Sequence, residues 1–368
     1  MTALGRLLGA RIAASGPMTV AEFMAECLMH PDHGYYSTRD PFGAAGDFIT
    51  APEISQMFGE MLGLCLAQVW ADQGRPAPFV LAELGPGRGT LMADVARALR
   101  ALPGMAEAAQ VHLVETSASL RAVQADRLAA LAPTWHDRID SLPDGPLFLL
   151  ANEFFDALPI RQFVRRGSGW AERQVGLDAA GQLAFGLAPA TPLAALAHRL
   201  ADTAEGDVVE TCPAAAAVMA TIAARITRNG GVALVIDYGG WHSLGDTLQA
   251  LRGHRPEDPL ATPGAADLTA HVDFEPLAQA ARAAGAAAAG PLPQGLVLER
   301  LGITARAQRL ATGLRGAALE SHVAAHRRLT HPQEMGNLFQ ALAIHPEGAA
   351  PPPGFAPQDG KADDGSHA

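Results

Sequence analysis

Between residues 79 and 237 the sequence alternates short, unbroken apolar runs with segments of helical periodicity, and this alternation limits the possible folds more than any other feature. Phe79–Leu84 (FVLAEL), Val111–Glu115 (VHLVE), Leu147–Ala151 (LFLLA) and Val232–Asp237 (VALVID) read as buried strands, with a shorter strand near Thr134–Asp137. Between them lies a helix at Thr90–Leu102, with Leu91, Val95 and Leu99 on one face and Pro103-Gly104 closing it. A second helix is predicted from about Ala118 to Leu131, and a third ends at Asn229-Gly230-Gly231. Strands that are apolar on both faces need cover on both, so the rhythm predicts an α/β fold: a Rossmann-like, doubly wound, mostly parallel sheet.

The flanks read differently. The first 75 residues are helical in pattern. Thr19 and Glu22 form a capping box, with Met18 and Phe23 placed as a hydrophobic staple. A second helix start stands at Thr50-Ala51-Pro52-Glu53, where Thr50 and Glu53 fit a second capping box. From there Ile54, Met57, Phe58, Met61, Leu64, Cys65 and Val69 recur at helical spacing to about Trp70. The intervening HPDHGYYSTRDPFGAAGDFIT is a loop long enough to carry function. Its His30, Asp32 and His33 read as a turn, because no second cluster stands at metal-ligand spacing. Residues 161–187 break the βα rhythm with Gly-punctuated amphipathic strands and form a β insertion reaching about residue 190. The insertion's Arg161, Arg165, Arg166 and Arg173 read as a solvated face. The Ala-rich stretch 277–290 is predicted helical. The Pro- and Gly-rich tail from His345 lacks apolar periodicity and reads as disordered. The expected organisation is a helical N-terminal region over 1–75, a main domain over 76–345 and a disordered tail over 346–368.

Composition narrows the function. Among 368 residues, 38 Asp and Glu against 27 Lys and Arg leave a net charge of −11, which disfavours non-specific nucleic-acid binding. The three cysteines, Cys27, Cys65 and Cys212, are odd in number, far apart and in no CxxC pair, so a reducing cytoplasm is expected. No apolar stretch reaches the ~18 residues of a membrane span. The opening MTALGRLLGARIAASG is read as a first helix rather than a transit peptide.

The chemistry is concentrated in VLAELGPGRGTL, residues 80–91. No Lys follows its glycines, as a phosphate-binding P-loop requires, and Gly85-x-Gly87-x-Gly89 places its third glycine one residue early for a dinucleotide fingerprint. An acid at the end of the first strand (Glu83), a glycine turn with Pro86 inside it, and an acid at the tip of the second strand (Glu115) suit S-adenosylmethionine better. Its amino-acid part can pass over the glycine turn near a helix N-terminus, and Glu115 stands where the ribose diol needs an acceptor.

GDFITAPEISQMFGE, LAELGPGRGTL, VHLVETS, ANEFFDALP, VIDYG and DLTAHVDF, in this order, resemble the MidA family of class I S-adenosylmethionine-dependent methyltransferases, over roughly residues 17 to 340. The resemblance implies a seven-stranded methyltransferase sheet with a helical N-terminal extension and a β insertion. It also implies protein arginine as the substrate, giving symmetric dimethylarginine on a subunit of respiratory complex I. Transfer to a guanidinium nitrogen needs carboxylates that hold the fork and accept a proton. They are expected after the fourth strand, in Asn152-Glu153-Phe154-Phe155-Asp156, where Glu153 and Asp156 are the catalytic candidates and Asn152 a cofactor contact. Asp237-Tyr238-Gly239 is expected on the far side of the pocket. The GDFITAPEIS block suggests an active-site loop with Asp47, Thr50 and Glu53, acting as a lid or merely as a helix cap. Two rival functions stay open at this point: a non-catalytic assembly factor that keeps the fold, and a nucleotide-dependent oxidoreductase.

Overall fold

The computed structural model describes residues 2–38, 50–242 and 244–356. Its central strands are β1 (Phe79–Leu84), β2 (Ala109–Val114), β3 (Thr134–His136), β4 (Leu147–Asn152), β5 (Gly231–Gly240), β6 (Ala286–Pro293) and β7 (Phe339–Pro346). They lie in the order β3-β2-β1-β4-β5-β7-β6, and the short strand Val272–Asp273 pairs beside the end of β5. The pairs from β3 to β5 are parallel, and β7 runs antiparallel to both β5 and β6. The strand order reverses between β1 and β4, which is where an open α/β sheet leaves a crevice at its strand ends.

The helices that bear on this crevice are α1 (Ala3–Ser15), α2 (Val20–Met29), α3 (Gln56–Asp72), α4 (Thr90–Leu99), α5 (Ala118–Arg127), α6 (Pro213–Asn229) and α7 (Phe274–Ala283). The strands alternate between two cores. Phe79, Leu81, Phe148 and Leu150 face the α3 and α4 side, whereas Val80, Ala82, Leu84, Leu149 and Ala151 face the α6 and α7 side. Cover on both faces is why the strands read as unbroken apolar runs. The crossing of α3 and α4 is close because α3 carries glycines at two points of nearest approach. A Cβ on Gly59 would lie 2.6 Å from Asp94 Cβ, and one on Gly63 would lie 2.7 Å from Ala98 Cβ.

A second body covers one end of the crevice. The β insertion, made of Arg161–Arg166, Gly169–Leu177 and Leu183–Leu187, is joined by Val208–Thr211 and by the two-residue strand Met18–Thr19, which pairs with Val175 and Gln174. Leu4, Leu8 and Ile12 of α1 and Phe23 and Met24 of α2 share one core with Val175 and Leu268. Leu268 belongs to a three-stranded sheet (Gln249–Arg252, Arg255–Glu257, Asp267–Thr269) that periodicity did not announce. The capping box on α2 forms as expected: Glu22 N donates to Thr19 Oγ1 at 3.1 Å and Thr19 N to Glu22 Oε2 at 2.8 Å. His30 to His33 do form a turn. Arg161 binds both oxygens of Glu172 at 2.7 Å, Arg166 pairs with Glu205 and Arg173 with Asp246, so three of the four insertion arginines are held by nearby acids.

Three expectations need correction. The helix beginning at Thr50 is a single turn, Ala51–Ile54, and the Thr50 side chain makes no capping bond. Ser55 restarts the helix, accepting from Met57 N at 3.2 Å, while Glu53 is occupied by the Thr90 hydroxyl instead of reaching back. The Ala-rich stretch is helical only to Ala283. Gly285 takes a left-handed φ of 85°, and Ala286–Gly290 then becomes the first half of β6, paired with β7. Alanine's helical preference is small beside a full ladder of sheet hydrogen bonds. Finally, part of the expected disordered tail is packed, with Pro352 and Phe355 buried. Phe355 enters the α3-side core and Arg300 donates to Gly354 O at 3.1 Å. Residues 357–368, with Asp47, lie outside the described residues.

Candidate active site

A cavity of about 680 Å³ opens where β1, β2, β4 and β5 end. One wall is the turn after β1. Gly85, Gly87 and Gly89 all take positive φ (59°, 52° and 76°), and Gly89 N donates to Pro86 O at 2.7 Å, which coils the chain tightly into α4. Gly85, Pro86 and Gly87 line the cavity. A Cβ on Gly85 would sit tightly, 3.1 Å from Phe154 Cδ2, and at a φ that side chains rarely adopt. Gly89, expected to touch the cofactor, is not brought to the cavity. It faces Leu128, 3.0 Å from where its Cβ would be, and serves the turn and the packing of α4.

Two carboxylates flank this turn. Glu83 is buried, and burial raises its carboxyl to about 8, helped by the nearby Glu115 charge and opposed by the Met92 backbone N–H. Glu115 stands one residue past β2. Its Oε1 accepts from Ser117 N at 2.8 Å and its Oε2 from Gln124 Nε2 at 3.3 Å. Burial raises Glu115 as well. Gln124 also donates to Gly87 O at 2.7 Å, so one fully buried side chain locks the glycine turn to the acid on the next strand. The sequence reading passed over Gln124, since a lone Gln in a helix carries no signal.

The opposite wall is acidic. Glu153, the residue after β4, lines the cavity and holds a left-handed φ of 52° with a full side chain, a strained conformation. Its Oε1 accepts from Ala51 N at 3.2 Å and Asn152 Nδ2 at 3.1 Å. Burial raises its carboxyl to about 7, and the charges of Asp237 and Asp267 add to the shift. Asp156 also lines the cavity. It is raised well above the usual carboxylate range, first by burial and then by Asp237, Glu153 and Asp267.

Asp237 holds this wall in shape without lining it. Fully buried, it accepts on Oδ2 from the backbone N–H groups of Phe154 (3.2 Å), Phe155 (2.8 Å) and Asp156 (3.3 Å), and on Oδ1 from Tyr238 N at 2.9 Å. Tyr238 does line the cavity, its ring edge-on to His271 with 4.2 Å between centroids. Gly239 packs instead against Val272. Tyr36 and Asp267 complete the acidic end, the Tyr36 hydroxyl donating to Asp267 Oδ1 at 2.9 Å. Neither was singled out from sequence, although Asp267 opens the quoted block DLTAHVDF. Thr50 and Glu53 also reach the cavity, and Glu53 is tied across to Thr90 and lies 3.9 Å from Arg127.

The profile of a family described as S-adenosyl-L-methionine-dependent methyltransferases matches residues 61–292. The chain belongs to this family. It is similar to curated proteins named protein arginine methyltransferase NDUFAF7, mitochondrial. The Mus musculus protein is 38% identical, covering 94% of this chain and 85% of the relative. The Drosophila melanogaster homolog is 37% identical, covering 93% and 85%. A crystal structure from Burkholderia thailandensis, of a superfamily member bound to S-adenosyl-homocysteine, superposes with a TM-score of 0.80. It is 31% identical over 96% of this chain and 93% of that one. A native crystal structure of the same superfamily from that organism gives 0.77, at 31% identity over 96% and 92%. The methyltransferase thus has the expected fold and cofactor, and the oxidoreductase alternative is set aside.

The residues present fit that cofactor on their own terms. Among the described residues Glu83 Oε2 and Asn152 Oδ1 are buried without a hydrogen-bond partner, and both residues line the cavity beside the glycine turn. Orphaned polar atoms of this kind are costly unless a ligand supplies partners. Among the described residues no helix is long and apolar enough to cross a membrane. The mitochondrial location in the relatives' names gives no support to the cytoplasmic expectation.

Proposed function

We propose that this methyltransferase transfers methyl groups to a guanidinium nitrogen of arginine in a protein substrate. The carrying observation is the acidic wall: Glu153, Asp156 and Asp267 line the cavity and Asp237 stands directly behind them. The names of the relatives support the same reading, and the motif resemblance points to a respiratory complex I subunit as the substrate protein. Symmetric dimethylarginine is the product that resemblance implies. The three free thiols suit a reducing compartment.

In this reading Glu83, Gly85, Pro86, Gly87, Glu115 and Asn152 hold S-adenosyl-L-methionine, which supplies the methyl group as an electrophile on a sulfonium. Glu115 accepts from the ribose hydroxyls, and the orphaned oxygens of Glu83 and Asn152 accept from the amino group and neighbouring donors. Glu153 and Asp156 act on the acceptor. Their carboxylates bind the fork, concentrate negative charge beside it and take the proton released as nitrogen gains the methyl group. Most of the rate enhancement lies in this positioning. The turn at residues 50–54 acts as part of the wall, since Ala51 N holds Glu153 directly.

The test is transfer of labelled methyl from S-adenosyl-L-methionine into an extract of cells lacking this enzyme, followed by hydrolysis and identification of the labelled amino acid. Methylated arginine is expected. Label in another amino acid, or none, overturns the reading.

A further inference from the structure

The acidic end of the cavity contains a pair of side chains that neither the glycine turn nor the turn after β4 supplies. Tyr36 follows α2 in the helical turn Tyr35–Thr38, where the fully buried Tyr35 anchors the segment. Its hydroxyl donates to Asp267 Oδ1 at 2.9 Å, and both residues line the cavity. Asp267 is 5% exposed and begins the strand Asp267–Thr269 of the three-stranded sheet. One residue past that strand, Ala270 N donates to Asp156 O at 3.0 Å, which ties Asp267's strand to the turn bearing Glu153 and Asp156. Glu153, Asp156 and Asp267 line one cavity, and the Asp267 charge helps raise both of the other carboxyls. Leu28, Met29 and Leu251 border the same space with apolar surface.

A guanidinium presents five N–H donors along more than one edge of a rigid plane, and one carboxylate can take only one edge in bidentate fashion. Glu153 already spends part of its Oε1 on Ala51 N and Asn152 Nδ2. A second carboxylate on a different segment, fixed in direction by its own donor, meets the remaining edge. Resting on the arginine reading above, we propose that Asp267 is a substrate-binding residue of the arginine subsite and that Tyr36 is its positioning residue. The N-terminal extension therefore completes the acceptor site as well as covering the fold. Lysine, with a compact ammonium and three donors, gains less from two separated carboxylates, so the pair also selects the fork over the point charge.

The experiment measures initial rates of labelled-methyl transfer into arginine over a dilution series of the same extract, for the parent, Asp267→Asn and Tyr36→Phe, with calorimetry of S-adenosyl-homocysteine on each. Asp267→Asn is expected to raise the half-saturating amount of extract at least tenfold while binding S-adenosyl-homocysteine as the parent does. Tyr36→Phe, which removes only the hydroxyl, is expected to raise it about threefold to fivefold with the maximal rate nearly unchanged. Parental half-saturation in both variants overturns the proposal and leaves the arginine reading intact. Should Asp267→Asn fail to bind S-adenosyl-homocysteine, Tyr36→Phe decides alone: parental saturation overturns the proposal and the expected rise supports it. A parent that labels no arginine overturns the arginine reading, and this proposal with it.

Discussion

The wall that carries the glycine turn comes from two short stretches, residues 83–90 and 114–117, on adjacent parallel strands. The opposite wall collects Tyr36, Glu153, Asp156 and Asp267 from separate parts of the chain, and the hydrogen-bonded pair Tyr36–Asp267 is 231 residues apart. The first wall is local chemistry: a strand end, a turn needing positive φ and a helix start, in a form that one stretch of sequence can specify. The second exists only once α2, the β insertion and the three-stranded sheet have packed into one core. The difference matters for substitution. Changes in the first wall should act on cofactor affinity, and changes in the second should act on transfer with cofactor binding kept.

The largest expected effect tests that separation directly. Glu153→Gln should lower methyl transfer by two or more orders of magnitude, roughly 3 kcal/mol of transition-state stabilisation, with nearly normal cofactor affinity. The parent's kcat/KM should rise with pH through about 7 as Glu153 ionises, because its charged form draws the guanidinium, and the variant should lose that limb. Parental turnover in Glu153→Gln, measured by labelled-methyl transfer, would move the acceptor away from this wall. Next is Glu115→Ala, the converse case. Calorimetry should show cofactor binding weakened by about 1.5–3 kcal/mol, since a charged acceptor is lost. Unchanged affinity would remove Glu115 from the first wall's role.

A smaller effect concerns Glu83 in the protein free of ligand. Its carboxyl is raised from 4.5 to about 8 by burial, so the folded state holds a proton that the unfolded chain has released. The stability contributed by the protonated form is present below pH 4.5 and is lost as pH rises through about 8. Thermal melts of Glu83→Gln should therefore fall less steeply with pH over that window than melts of the parent. Parallel curves would show that Glu83 keeps no proton there. The smallest effect separates wall from cap in the 50–55 segment. Ser55→Ala should cost about 1 kcal/mol of stability because Ser55 caps α3. Thr50→Ala should cost less than about half of that, for want of a capping bond to lose. Chemical denaturation measures both, and equal costs would return Thr50 to a capping role.

How much of this was legible follows the same division. The boundaries of β1 and β4, the start of α4 and the capping box of α2 were readable because each depends on neighbours within a few residues, or on burial that a continuous apolar run declares. Where two local solutions were equally good, the sequence misled. Thr50 and Glu53 have the right spacing for a capping box, but Glu53 gains more from Thr90 and Arg127, 37 or more residues away. Alanines 286–289 read as helix until a partner strand offers hydrogen bonds to their backbone.

By itself the sequence determined the doubly wound sheet, the glycine turn after β1 and the acid after β4, since period, turn chemistry and strand-end position are properties of short segments. Tertiary structure alone decided which glycine faces the cavity and which packs behind it. It also decided that Gln124 locks the turn, that a buried Asp237 clasps the backbone of residues 154–156, and that Tyr36 meets Asp267 across the chain. These are contacts between surfaces that exist only after folding, and a side chain's chemistry does not announce which distant partner packing will bring to it.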